Sequence, residues 1–86
     1  MTDKTNIIID PIVRLEAEAV GKAYGEAEVV CWKDQYGELR GMPVWTMGTY
    51  CGRLPGVTNR DEQRELADAV DLVIDRAARE VWNSRR

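Results

Sequence analysis

The groups able to do acid-base or covalent chemistry in this 86-residue chain are two thiols, Cys31 and Cys51, fifteen carboxylates and three tyrosines, with no histidine. Without imidazole the chain lacks the commonest general base, the usual partner of a serine or cysteine nucleophile, and the commonest metal ligand. The cysteines stand twenty residues apart, unlike the Cys-x-x-Cys spacing of redox and zinc sites, and two are too few for a disulfide scaffold, so both read as reduced thiols. Gly48, Gly52 and Gly56 recur at steps of four and fit no phosphate-binding pattern; Arg53 near Cys51 is a small push toward a lower thiol pKa. The segment therefore reads as a connector, and the expectation is a protein without catalytic residues, cofactor or metal.

What remains is binding. A composition 44% hydrophobic and 31% charged is that of a folded protein, and the length fits a single domain over residues 1–86 with a thin core. A formal charge of −3 works against a phosphate backbone, which needs a concentrated positive field, so direct nucleic-acid binding is not expected. The opening Met1-Thr-Asp-Lys-Thr-Asn6 lacks the pattern of a secretory signal, and no apolar run approaches the ~20 residues that span a bilayer. A cytoplasmic protein that does not enter membranes is the expectation.

The elements follow from hydrophobic periodicity. Val13, Leu15, Ala17 and Ala19 alternate with Arg14, Glu16 and Glu18, which predicts a strand over about 12–20. Gly21 to Gly25 supply turn chemistry, and a second alternation through Ala27, Val29 and Cys31 predicts a strand over about 26–33. After a polar loop at Asp34–Glu38, in which Gly37 is free to take positive φ, residues 39–47 read as a third strand with Pro43 on a sheet edge. Odd-numbered residues of all three then share one face, as an antiparallel meander requires. Thr58 or Asn59 can cap a helix over about 60–82, whose Leu66, Ala69, Val70, Val73, Ile74, Ala77 and Val81 form a stripe that would cover that face. The expected class is α+β, three antiparallel strands packed on one C-terminal helix. An alternative makes residues 11–23 helical, with Pro11 in the first turn and Asp10 as cap.

Two short resemblances can be placed on residues. Leu54-Pro-Gly-Val-Thr58 followed by Glu65-Leu-Ala-Asp-Ala-Val70 resembles the end of a HicB-type antitoxin domain over about a quarter of the chain, but Asn59, Arg60 and Asp61 stand where that family has its Gly-x-Thr entry. Ile7-Ile-Ile-Asp-Pro-Ile-Val-Arg-Leu-Glu16 looks like the opening of nickel-iron hydrogenase large subunits, without the metal-binding cysteine pairs. Neither assigns a family.

The even sheet face, with Val20, Val30, Trp32, Met42 and Val44 among Arg14, Glu16, Glu18 and Glu28, has no second helix to cover it and reads as an interface. Trp32 and Met42 are its expected anchors, as large aromatics and methionine are where interfaces are fully desolvated. Asp68, Asp71 and Asp75 form an acidic helix stripe suited to a basic site on a nucleic-acid-binding complex. The expected partner-binding set is thus Trp32, Met42, Val30, Val44, Asp68, Asp71 and Asp75. The functional expectation is a small protein-protein interaction module, of the kind by which phage and mobile-element products inhibit host defence or transcription, with homodimerisation as a second use of the face. The competing class is an antitoxin-like, nucleic-acid-binding regulator.

Overall fold

The computed structural model describes residues 9–42, 45 and 59–86. Two α-helices make up its regular structure, α1 (Pro11–Tyr36) and α2 (Arg60–Arg85), and among the described residues there is no strand. This overturns the three-stranded meander and the α+β class. Both segments expected as strands, 12–20 and 26–33, lie inside α1, and residues 39–42 and 45 of the third are irregular. The rest of that third segment, with Pro43, Val44 and Met47, lies outside the described residues.

The reason for the misreading is one of parity. The face of α1 that is buried runs through Val13, Ala17, Gly21, Gly25 and Val29, a ridge in steps of four. A step of four is also two steps of two, so this ridge has the same odd numbering as one side of a strand. Leu15, Ala19, Ala27 and Cys31, which completed the apparent alternation, are exposed. Local chemistry at the ends agrees with the helix. Asp10 caps it, its Oδ1 accepting from the Ile12 amide at 2.9 Å, and Pro11 fills the first turn, where an amide would be unpaired in any case. Gly37 ends it at φ 75°, its amide donating to the Lys33 carbonyl at 2.9 Å.

α2 starts at Asn59, whose side chain accepts from the amides of Asp61 at 2.8 Å and Glu62 at 3.4 Å; the two acids themselves sit favourably at the positive end of the helix. Its buried face contains Val70, Asp71, Ile74, Ala77, Ala78 and Trp82. This stripe covers α1 in place of a sheet. Val13 and Ala17 cluster with Val70 and Ile74, Gly21 faces Ile74 and Ala77, Gly25 faces Ala78 and Val81, and the Trp32 and Trp82 rings meet edge to face at 5.7 Å.

Residue numbers climb together along that contact, so the helices run side by side in the same direction. A 26-residue helix is ~39 Å long, so the end of α1 and the start of α2 lie about that far apart and the connection has to return along the pair. Its described part does so against α2. The Gly41 carbonyl accepts from the Trp82 indole at 3.0 Å, Met42 Sδ from Arg79 at 3.4 Å, and the Trp45 amide donates to Asp75 at 2.9 Å. Here rising connector numbers meet falling numbers on α2, which fixes the return direction.

Candidate functional site

Two places concentrate the residues singled out from the sequence. The first is a clasp between the connector and the helix pair. The Trp45 indole N–H donates to Asp71 Oδ1 at 2.7 Å, its amide donates to Asp75 Oδ1, and its ring meets Tyr24 edge to face at 5.2 Å. Asp75 also accepts from Arg79 Nε at 2.8 Å. Asp71 is fully buried, a position a carboxyl group holds only when hydrogen-bonded. Among the described residues every buried side-chain nitrogen or oxygen has a partner. Two members of the expected acidic stripe thus hold the protein's own connector, and Asp68 beside them is half-buried.

The clasp makes two predictions. Asp71→Ala leaves the Trp45 indole N–H without its acceptor and costs about 1.5–3 kcal/mol of stability; Asp71→Asn, which retains an acceptor oxygen, costs less. Urea unfolding of the two variants checks the order. Burial raises the Tyr24 phenol above its ordinary value of 10, and Glu28 and then Asp75 push it the same way by charge. The fold favours the protonated phenol, so its contribution is complete below the ordinary tyrosine range and is lost as pH rises through the raised value. Tyrosinate absorbance should show one phenol titrating late, and Tyr24→Phe should remove that component.

The second place is the side of α1 facing away from α2. Ile12, Leu15 and Val30 are 68%, 66% and 60% exposed, and Val20 is exposed beside them. Ala19 and Ala23 lie between them, also exposed. α1 is therefore apolar on two opposite sides, one covered by α2 and one open. No protein-family model, curated protein or solved structure matches this chain. The reading of both places accordingly rests on geometry.

The other expected site residues are spread over the fold. Val30 is on the open side of α1. Trp32 packs between Tyr36 at 4.8 Å and Trp82, with its indole N–H donating to Glu28 at 3.2 Å, so it is a link between the helices. Met42 is half-buried against Arg79, and Val44 lies outside the described residues. The sequence reading missed Ile12 and assigned Leu15 to a core. The signal that could have found them is the recurrence of Ile12, Ala19, Ala23 and Val30 on one helical line opposite the glycine ridge.

A shallow groove of about 320 Å³ runs between the helices beside that face, lined by Arg14, Glu18, Lys22, Val73, Arg76 and their neighbours. Its charges nearly balance. No cluster of three acidic, cysteine or histidine side chains able to hold a metal occurs among the described residues. No helix is long and apolar enough to cross a membrane, again among the described residues.

Proposed function

We propose that this protein is a small non-catalytic interaction module that binds another protein chain through the open side of α1. The observation that carries the reading is the doubly apolar character of that helix. A helix needs one apolar stripe to pack on a neighbour, and a second exposed row containing Ile12, Leu15, Val20 and Val30 has no task inside the monomer. An amphipathic helix laid in parallel or antiparallel contact is the partner element that such a row fits. Inhibition of a larger complex by occupying one of its helices is the finer form of this reading.

Capture of the tagged protein from its native lysate after nuclease treatment tests it, in parallel with the Ile12→Glu, Leu15→Glu, Val30→Glu triple variant. All three positions are exposed, so circular dichroism should show unchanged helix content. Three buried anchors at roughly 1–2 kcal/mol each predict a loss of bound partner of more than a hundredfold. A captured protein that remains at its wild-type level on the triple variant would show that binding lies elsewhere.

A further inference from the structure

The geometry points to a second copy of this chain as the occupant of the open side of α1, laid antiparallel about a two-fold axis level with Gly21. The inference rests on the reading of that side as a docking surface and names its partner. Ile12, Ala19, Ala23 and Val30 are separated by seven, four and seven residues, which places them on one line along the helix and makes the line symmetrical about residue 21. A two-fold interface is isologous, so that residue i meets j and j meets i. In the antiparallel alignment Ile12 meets Val30 of the second copy and Ala19 meets its Ala23. The two alanine pairs allow close approach at the centre, and the larger side chains fill the ends.

The flanking charges agree with the same alignment. In an antiparallel pair each flank faces its own copy. On one flank Val20 comes beside Val20 near the axis. On the other, Lys22 comes level with Glu18 of the second copy, and the relation is repeated by symmetry. Neither Glu18 nor Lys22 belongs to an ion pair among the described residues; the only acid within the apolar row on that side, Glu26, is bound to Arg85 of α2 and drawn off the face. In a parallel pair the unlike flanks meet, which sets Glu18 against Glu16 and Lys22 against Val20. The alternation of charge therefore selects the antiparallel form.

The row from Ile12 to Val30 is ~27 Å long and about 10 Å wide, roughly 300 Å² per copy against about 800 Å² for a stable standard interface. The dimer is accordingly weak, with Kd on the order of 10 µM to 1 mM.

Sedimentation equilibrium of the full chain over that concentration range tests the association. The mass should rise from one copy toward two. Ala23→Glu should stay monomeric with unchanged helix content. Glu18→Lys should weaken association about tenfold, and Glu18→Lys with Lys22→Glu should restore it, because the swapped pair is again complementary to itself. In a background of Cys31→Ser and Cys51→Ser, Val20→Cys chains should oxidise to covalent dimers, Ile12→Cys chains should not, and a mixture of Ile12→Cys with Val30→Cys should. A chain that remains monomeric throughout, or Ile12→Cys chains that cross-link with themselves, would overturn the inference. If the monomeric chain still loses a captured protein on the triple glutamate variant, the docking reading stands and the second copy is the wrong occupant. If the dimer forms and also dissociates with Ala23→Glu, while no other protein is captured, the second copy is the occupant of the face.

Discussion

Gly21→Ala is expected to lower the stability of this protein, although it puts the best helix-forming residue into the middle of α1. Intrinsic propensity favours the substitution by about 1 kcal/mol. The close approach of the helices opposes it. A Cβ on Gly21 would press on the Ile74 carbonyl oxygen and lie 2.7 Å from Ala77 Cβ and 3.1 Å from the Ile74 carbonyl carbon. Two of those neighbours are backbone atoms, which cannot swing aside as the end of a flexible side chain does. Relief requires the helices to separate locally, and overpacking of this type costs about 1–3 kcal/mol. The net expectation is a loss of roughly 1–2 kcal/mol for alanine and more for Gly21→Val, whose branched side chain drives the same contact further. Gly25→Ala should cost less, because its Cβ would stand 2.9 Å from the Ala78 carbonyl oxygen and 3.0 Å from Val81 Cβ. On the open side, Ala23→Gly should show propensity alone, a loss of about 1 kcal/mol with no change in packing. Urea unfolding followed by circular dichroism ranks the four variants. A higher midpoint for Gly21→Ala than for the wild type would mean that the helices do not approach at that glycine.

Trp82→Ala is expected to have the largest effect of any single truncation. Trp82 is the largest of the fully buried side chains, and three parts of the fold meet on it. Its ring receives the edge-to-face contact of Trp32 from the last third of α1, and its N–H holds the Gly41 carbonyl of the returning connector. Truncation removes the burial, leaves a cavity and frees the carbonyl; buried tryptophan to alanine costs about 3–5 kcal/mol. Domains of this size are stable by only about 5 kcal/mol or a little more, so a large share of Trp82→Ala chains should be unfolded at room temperature. Trp82→Phe keeps much of the volume and loses the hydrogen bond, and should cost markedly less. By contrast Leu72, large but exposed on α2, should change stability by less than about 0.5 kcal/mol when replaced by alanine. The midpoint of thermal unfolding separates these three cases. An intact fold with a near-normal midpoint in Trp82→Ala would refute the role given to this side chain.

Several features were legible in the chain before its structure. The cap at Asn59, the stop at Gly37 and the apolar row from Leu66 to Val81 depend on residues within a few positions of one another, and local chemistry is enough to specify them. Asp10 and Pro11 carried the start of α1 in the same way, which is why the helical alternative for residues 11–23 could be written down at all. The choice between that helix and a strand was not local. Val13, Ala17 and Val29 have the parity of a strand face and the spacing of a helix ridge at once, and Gly21 and Gly25 read as a turn wherever their neighbours are unknown.

The sequence by itself thus determined where helices can begin and end, how polar the chain is, and that its chemistry lacks imidazole. Only the tertiary structure decided that the glycines are contact points, because their role exists only when Ile74 and Ala78 lie against them. It also decided the fate of the carboxylates. Asp71 and Asp75 look like a solvated stripe along α2, and they are turned to internal use by Trp45, which reaches them because the parallel helices oblige the connector to run back along the pair. The exposure of Ile12, Leu15 and Val30 follows from the same cause: a helix can be apolar on every side in sequence, and which side stays open depends on where its neighbour packs.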